Sequence, residues 1–329
     1  CPTGVDMAKM KVEFLHAYQQ KHGIRLRDRL VAFLPRYAPL ASRIAGILKL
    51  RDRVSGFAGR SEWMLGFSAK RTLPQWRPDI FDADTSGVHP DSCPVGQAVV
   101  LFADTFSTYF EPENLHAAKR VLDAAGYRVA IARPPKGERP LCCGRTFLAA
   151  GLVDEAKTEA RRMADAVLPF VRAGVPVIGL EPSCLFTLKD EFASLLPKDE
   201  AEDIAAKAML FEEFIAAEID AGTFRLDMQP LAQSKALLHG HCHQKAFAAM
   251  GAVEKTLRFV PGLSVETIES SCCGMAGAFG YEADNYETSI KMAELNLLPK
   301  VRAADTDTLI VADGTSCRHQ IADGAARDA

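Results

Sequence analysis

The cysteine residues are the side chains of this sequence that are best suited to chemistry. Nine cysteines occur among 329 residues, and two adjacent pairs, Cys142-Cys143 and Cys272-Cys273, are each followed by a glycine. Adjacent cysteines are poor disulfide partners because the bridge strains its own geometry. A chain of this length can also build hydrophobic cores without disulfides. The cysteines therefore indicate metal ligation or redox chemistry.

Four cysteines in the C-terminal part are placed so that they can converge on one point. They are Cys242, Cys272, Cys273 and Cys317. Thiolates bind zinc and iron–sulfur clusters, but structural zinc usually takes CxxC pairs, in which one tight turn aims both sulfurs at one ion. Adjacent cysteines diverge and can reach different irons, so the spacing favours a cluster over zinc. The other alternative is a set of buried structural thiols.

The chain contains two similar segments, each with one Cys-Cys-Gly motif. Thr105, Cys142 and Cys184 correspond to Cys242, Cys272 and Cys317, with offsets of 137, 130 and 133 residues. The shared order of apolar runs, helix-length stretches and cysteines indicates an internal duplication.

The apolar runs of both segments predict strands of parallel sheets. They alternate with helix-length stretches, which is typical of βαβ units, and sites form beyond the carboxyl ends of such strands. We predict an α/β fold with two homologous parallel-sheet halves after a helical segment. The domains would be a helical basic segment over 1–92, a first half over 93–229 and a second half over 230–329. The predicted strands are 98–102, 127–132, 175–180, 235–238, 263–268 and 308–312.

The first half is degenerate, because Thr105, beside Asp104, stands where the second half has Cys242. Cys142, Cys143 and Cys184 could hold a second cluster with a hydroxyl, a carboxylate or water at the fourth iron. Alternatively, this half is retained for its architecture alone.

Other candidate residues give weaker signals. His239, His241 and His243 flank Cys242. One of these rings could donate to a cluster sulfur, but we interpret them as polar packing at a strand end. Cys93 is interpreted as a surface thiol.

The two Cys-Cys-Gly segments, together with Cys184, Cys242 and Cys317, resemble the duplicated cysteine-rich CCG domain. That domain occurs in the B subunit of heterodisulfide reductase and in iron–sulfur subunits of glycolate oxidase, glycerol-3-phosphate dehydrogenase and lactate-utilisation systems. The opening Cys1-Pro2 resembles the end of a bacterial ferredoxin run, CxxCxxCxxxCP. The resemblance therefore implies that Cys1 ligates a ferredoxin-type cluster and that residues 1–92 begin with the tail of such a module. We expect the start to be a cut within a longer protein.

The resemblance is nearest to the C-terminal part of bacterial fusion proteins that join an FAD-binding dehydrogenase, a ferredoxin module and a CCG module. Those proteins act on D-2-hydroxyacids such as D-lactate or D-2-hydroxyglutarate. The resemblance implies an electron-transfer module that is inactive alone. FAD would lie in an upstream part or partner dehydrogenase, and the acceptor would be a quinone or an electron carrier.

One departure from the heterodisulfide reductase pattern bears on the cluster type. That pattern ends in CxxC, whereas Cys184 and Cys317 each stand alone. We therefore expect a four-cysteine [4Fe–4S] cluster at Cys242, Cys272, Cys273 and Cys317. A cluster-based disulfide reductase and a non-redox interaction scaffold are the alternative functions.

Charge is distributed unevenly along the chain. Residues 1–78 contain fifteen Lys and Arg against five Asp and Glu, although the whole chain has a net charge of −3. This basic segment predicts docking on an anionic surface, either an acidic partner domain or the cytoplasmic face of a membrane. The alternative is a helical linker packed on its own body. The sequence has no nucleic-acid-binding motif, so we expect no nucleic-acid partner. It also has no apolar run long enough to cross a membrane. We therefore expect a cytoplasmic protein that is at most peripherally bound to the inner face of the membrane.

Overall fold

The N-terminal segment is helical. The structure is a computed structural model that describes residues 6–82, 96–135 and 138–329. Asp6 caps the first helix by accepting hydrogen bonds from the backbone N–H groups of Ala8 and Lys9. Six helices follow one another as α1 (Met7–His22), α2 (Leu26–Ala32), α3 (Leu34–Arg43), α4 (Ala45–Leu48), α5 (Leu50–Arg53) and α6 (Phe57–Leu65).

The first sheet is parallel, with the strand order β2-β1-β3-β4. The strand formed by residues 98–102, one of the two inner strands, is buried along its whole length, as expected where helices cover both faces of a sheet. The strands are β1 (Ala98–Phe102), β2 (Arg128–Ile131), β3 (Val177–Gly179) and β4 (Ala208–Leu210). The helices are α7 (Thr105–Tyr109), α8 (Pro112–Ala124), α9 (Arg145–Ala149), α10 (Val153–Arg172), α11 (Pro182–Lys189), α12 (Phe192–Leu195), α13 (Lys198–Lys207) and α14 (Phe211–Asp220).

The second sheet repeats the first three strands of the first, in the order β6-β5-β7 and again in parallel. The predicted α/β class with parallel sheets after a helical segment is thus confirmed. The strands are β5 (Lys235–Leu238), β6 (Ser264–Thr267) and β7 (Leu309–Val311). The helices are α15 (Cys242–Ala246), α16 (Met250–Arg258), α17 (Tyr286–Glu294), α18 (Leu297–Ala303) and α19 (Thr315–Ala325).

Some elements differ from those expected. The sequence predicts one helix from about 244 to 259, but the structure has two, α15 and α16, because Ala248 takes a positive φ of 56° between them. It also predicts one helix from 286 to 303, which the structure divides into α17 and α18. Strand β4 was not predicted.

The basic N-terminal segment packs against the two halves, and much of its charge is used in doing so. Its ion pairs with acidic residues of the body agree with a segment packed on its own body, and docking of its remaining surface on an anionic partner stays a prediction. The pairs are Lys9–Asp190 at 3.4 Å, Arg27–Glu282 at 3.1 Å, Arg36–Glu159 at 3.1 Å, Lys70–Glu287 at 2.6 Å and Arg71–Asp323 at 3.3 Å.

Arg71 fastens this segment to the second half from inside. Its side chain is fully buried, and it donates to the carbonyl of Gly280 at 3.1 Å, to Gln320 Oε1 at 2.6 Å and to Ser289 Oγ at 3.3 Å. A buried guanidinium with this many acceptors holds its surroundings in one arrangement. The partners lie beside the loop that carries Cys272 and Cys273, so Arg71 supports that loop.

Candidate metal centre

The second half presents its cysteines at the carboxyl edge of its sheet. Cys242 is the first residue of α15, and Cys317 lies in the first turn of α19. Cys272 and Cys273 lie in the loop after β6. Helix N-termini carry partial positive charge, which stabilises thiolates and negatively charged groups bound to them.

The four sulfurs are close together and unbridged. All four cysteines are free thiols. The Sγ atoms of Cys273 and Cys317 are 3.3 Å apart, and the thiols of Cys242 and Cys273 hydrogen-bond to the sulfur of Cys272. A ring nitrogen of His239 and the sulfurs of Cys273 and Cys317 all lie within 4.8 Å of one another. The structure thus groups Cys273 and Cys317 with His239, while Cys242 and Cys272 lie outside that 4.8 Å group and are connected to it through the contact between Cys272 and Cys273.

The shared hydrogen bonds divide the pKa values of these thiols. Hydrogen bonds from Cys242 and Cys273 hold the pKa of Cys272 well below its usual range, with help from the N–H of Gly274 at 3.3 Å. The hydrogen bond to Cys272 and burial raise the pKa of Cys242, and hydrogen bonds to Cys272 and Cys317 raise that of Cys273. These thiols are soft ligands that share protons through hydrogen bonds, and a bound metal would displace those protons.

Gly274 is required by the geometry of the Cys-Cys-Gly loop. Its φ is +88°, and a Cβ here would overlap the carbonyl oxygen of Ser289 in α17. Gly144 in the first half has a φ of +84°, and its Cβ would lie 3.1 Å from the carbonyl oxygen of Ala156 in α10. Only glycine adopts this conformation without strain, so both motifs need it for the same reason.

The histidines differ in their placement. His239 is buried, and its Nδ1 lies 2.9 Å from Ser270 Oγ, while its Nε2 has no partner among the described residues. His241 caps α15 by accepting from the N–H of His243 at 3.2 Å. The expectation of strand-end packing fits His241, whereas His239 faces the sulfurs of Cys273 and Cys317. A ring nitrogen at this distance is suited to donating to a bound cluster.

The second-half thiols differ in exposure. Cys273 and Cys317 are buried, whereas Cys242 is exposed and Cys272 is half-buried. The ammonium of Lys245 donates to the carbonyl of Ser271 at 3.1 Å, next to Cys272. Nothing in the sequence spacing marks Lys245. It places a positive charge beside the open edge of the site.

The first half repeats this arrangement with three cysteines. The N–H of Gly144 donates to Cys142 Sγ at 3.3 Å, the same distance as between Gly274 and Cys272. Cys143 hydrogen-bonds to both Cys142 and Cys184. Unlike the second-half set, all three are buried.

Contacts within the first site raise the pKa values of its thiols. The hydrogen bond to Cys143 and burial raise the pKa of Cys142. Cys143 donates to Cys184 and lowers its pKa, but burial and the carboxyls of Asp104 and Glu181 outweigh this and raise it to about 12.

Asp104 occupies the position beside Thr105 in this first site. Its Oδ1 caps α7 by accepting from the N–H groups of Phe106 at 2.8 Å and Ser107 at 3.0 Å. Its Oδ2 is buried with no hydrogen-bond partner in the described ranges. Burial and the nearby Glu181 raise the pKa of Asp104 to about 6. A buried, unsatisfied carboxylate oxygen near thiols is a possible ligand atom.

Polar and aromatic contacts join the two halves near the cysteines. Arg318 donates to Glu111 Oε1 at 3.0 Å, and Thr315 Oγ1 donates to Glu111 Oε2 at 2.8 Å. The rings of Phe186 in α11 and Phe247 stack at 4.4 Å. Because α11 and α19 carry Cys184 and Cys317, these contacts fix the two sites relative to each other.

Two cysteines lie outside the described residues. Cys1 and Cys93 belong to the ranges 1–5 and 83–95, so their predicted roles as a ferredoxin ligand and a surface thiol stay predictions.

A protein-family model matches part of the second half. Residues 236–322 match the family described as cysteine-rich domain, CCG. The match includes Cys242, Cys272, Cys273 and Cys317. The resemblance expected from the Cys-Cys-Gly motifs is confirmed.

The chain is also similar to components of dehydrogenases and to longer enzymes. It is 28% identical over 286 residues to the C subunit of the anaerobic glycerol-3-phosphate dehydrogenase of Escherichia coli K12, covering 87% of this chain and 68% of the relative. It is 24% identical to D-2-hydroxyglutarate dehydrogenase of the same organism, covering 98% of this chain but only 31% of that enzyme. It is 27% identical to lactate utilization protein A 1 of Bacillus mycoides, covering 60% and 75% respectively. No solved structure gives a significant match.

Proposed function

We propose that this chain is the iron–sulfur electron-transfer module of a flavin-dependent D-2-hydroxyacid dehydrogenase. The observation that carries the proposal is the convergence of four free thiols, Cys242, Cys272, Cys273 and Cys317, at one sheet edge. The similarity to D-2-hydroxyglutarate dehydrogenase over 98% of the chain supports the enzyme class. FAD and the substrate site would belong to a partner domain or subunit.

The donor set fits a [4Fe–4S] cluster. Four thiolates match its ligand number, and Cys272 and Cys273 come from adjacent positions that favour two different irons. Donor groups are already in place, because the N–H of Gly274 donates to the sulfur of Cys272 and a ring nitrogen of His239 lies within 4.8 Å of the sulfurs of Cys273 and Cys317. When bound, such a cluster supplies a one-electron carrier.

The site would have one side that is buried in the protein and one side that is open to solvent. Cys273 and Cys317 hold the buried side, and His239 shields it from water. Cys242 and Cys272 face outward, where an electron partner can approach. Lys245 places a positive charge there, which favours a reduced, more negative site. The acceptor would be a quinone or an electron carrier.

The first half would hold a second site, with Asp104 as its fourth ligand. Cys142, Cys143 and Cys184 lie together under the same loop geometry as in the second half, and Asp104 Oδ2 needs a partner. Asp104→Ala should lower iron bound by the first half, and Asp104→Asn serves as the control that keeps the helix cap. Equal iron in wild type and Asp104→Ala would show that Asp104 is not the fourth ligand, and absence of iron from the first half of the wild type would leave this half an architectural one.

The domain division and the ferredoxin-type ligand belong to the same proposal. Residues 93–229 and 230–329 would be the two CCG halves, and Cys1 would be the last ligand of an adjoining ferredoxin-type cluster. The flavin-bearing partner would pass electrons through that cluster to the second half. The N-terminal segment would hold the assembly peripherally on the cytoplasmic face of a membrane.

The test separates electron relay from a structural role. In the assembled dehydrogenase, Cys273→Ala should keep the reduction of an artificial dye, which takes electrons directly from flavin, and lose the reduction of a quinone. Lys300→Ala, a change in α18 away from the site, is the matched control. Loss of both activities would mean that the module is structural, and turnover of a D-2-hydroxyacid by this chain alone would contradict the proposal.

A further inference from the structure

The N-terminal helices carry most of the large apolar side chains that face solvent. Of 17 such side chains in the described residues, 14 lie between positions 7 and 64. Soluble monomers rarely expose a large apolar patch without an interaction to cover it. Nine of them fall within residues 40–64, here called the apolar–basic surface: Leu40, Ile44, Ile47, Leu48, Leu50, Val54, Phe57, Trp63 and Met64.

Within this surface the usual burial pattern is inverted. Helices α3 and α4 pack inward through small residues, among them Ala38, Ala41 and Ala45, each no more than 5% exposed. The larger Leu40 and Ile47 point outward, at 62% and 66% exposure. Large apolar side chains would contribute more to a core than alanine does, so their outward position is not explained by folding.

The surface is held in a fixed shape. Helix α3 contacts α4, α4 contacts α5, and α5 contacts α6. Arg51 in α5 donates to Ser61 Oγ of α6 at 3.2 Å, to the carbonyl of Ser68 at 2.7 Å and to the carbonyl of Arg71 at 3.1 Å. The exposed side chains are therefore presented by an ordered scaffold.

The charges of this surface are positive. Residues 40–64 contain five basic residues against Asp52 and Glu62, and Arg51 is paired with Asp52. Arg43, Arg53 and Arg60 are exposed. The basic residues are Arg43, Lys49, Arg51, Arg53 and Arg60.

This combination matches the surface of an anionic bilayer. Basic side chains are attracted to acidic headgroups, and an apolar helical face with tryptophan enters the headgroup region. Trp63 is 85% exposed. In the described part of the chain no helix is long and apolar enough to cross a membrane, so association would be in the plane of the surface.

We propose that the apolar–basic surface, residues 40–64, inserts into the headgroup region of an anionic lipid bilayer. Its purpose rests on the proposed function, because a membrane position brings the electron-transfer site near a quinone pool. Binding itself depends only on the residues of this surface.

The chain offers its own reporter for the test. It contains two tryptophans, and Trp76 is already packed against Phe110 at 4.4 Å. In a Trp76→Phe background, Trp63 fluorescence should shift to the blue with phosphatidylglycerol vesicles and be quenched by lipids brominated near the headgroup. Phosphatidylcholine vesicles should cause neither effect.

Variants separate the apolar and basic contributions. Arg53→Gln together with Arg60→Gln should weaken partitioning roughly fivefold for each charge removed. Ile47→Ser with Leu48→Ser should weaken it by roughly tenfold or more. Lys198→Gln, an exposed change in α13, is the matched control and should bind like wild type. Circular dichroism checks that each variant folds.

The outcomes decide the proposal independently of electron transfer. The chain should bind vesicles equally well with iron loaded and after iron is removed by a chelator, provided that its circular dichroism is unchanged. Absence of binding to phosphatidylglycerol would overturn the proposal. A blue shift that appears without lipid and depends on protein concentration would also overturn it, because it indicates that a second copy covers the surface. A blue shift seen only with the partner dehydrogenase would overturn it as well.

Discussion

Glu181 Oε2 accepts a hydrogen bond from the backbone N–H of Thr315 at 2.9 Å, so a side chain of the first half caps a helix of the second. Its other oxygen accepts from Ser183 Oγ at 2.7 Å within α11. One carboxylate thus caps both α11 and α19, the helices that carry Cys184 and Cys317. The two cysteine sites are mechanically linked through it.

Replacing Glu181 should weaken the joint between the halves. Glu181→Ala leaves buried N–H groups without an acceptor, and we expect a loss of about 1–3 kcal/mol in the free energy of unfolding. Glu181→Gln keeps an acceptor oxygen and should lose less. Urea denaturation followed by circular dichroism measures both. If Glu181→Ala lowers the free energy of unfolding no more than Glu181→Gln does, the helix caps made by Glu181 contribute little to stability.

Gly274 should tolerate no side chain. Gly274→Ala places a Cβ on the carbonyl oxygen of Ser289 at a φ of +88°, so the loop that carries Cys272 and Cys273 must move and iron binding should be lost. Gly277→Ala is the matched control, since its φ is +69° but its surroundings are open. It should cost only about 1–2 kcal/mol of backbone strain. Equal iron content in both variants would contradict the role assigned to Gly274.

Arg71 should matter far more than its neighbour Lys70. Arg71→Met leaves the acceptors on Gly280 and Gln320 unpaired inside the protein, and we expect a loss of about 3–5 kcal/mol. Lys70→Met breaks an exposed, solvent-screened ion pair with Glu287 and should leave the free energy of unfolding close to that of wild type. Similar values for the two variants would show that the buried network adds no stability.

Glu212 should make stability depend on pH. Its Oε2 is buried with no partner in the described part of the chain, and burial, with Asp313 nearby, raises the pKa of Glu212 well above its usual 4.5. The folded state therefore binds the proton more tightly than the unfolded state. Stability is highest below 4.5 and falls as the pH rises through the raised pKa. Glu212→Gln should flatten this fall above pH 4.5, and parallel stability curves for wild type and variant would contradict the prediction.

The sequence predicts the parts of the fold that have a strong local signal. The strands before Cys142, Cys184, Cys242 and Cys317 are apolar runs bounded by polar residues, and the repeat fixes their order. The break after Ala246 could not be predicted, since Ala248 has no intrinsic preference for positive φ. Tertiary packing imposes that conformation.

The candidate site was predicted less completely than the fold. Thiol type and spacing pointed to the quartet, because soft ligands are rare and their chemistry is specific. The supporting residues Arg71 and Lys245 act across long sequence separations, and Arg71 reaches Gln320, 249 positions away. The +10 balance of residues 1–78 predicted docking on an anionic surface, but the sequence could not show that part of this charge is used in ion pairs to the body.

The most direct test is the iron and acid-labile sulfide content after anaerobic reconstitution. Wild type should show absorption at about 400 nm and bind about four irons at the second-half site. Cys273→Ala should lose those four, whereas the matched first-half variant Cys142→Ala should keep them. Stoichiometric zinc in place of iron, or full iron content in Cys273→Ala, would contradict the assignment of this chain as an iron–sulfur electron carrier.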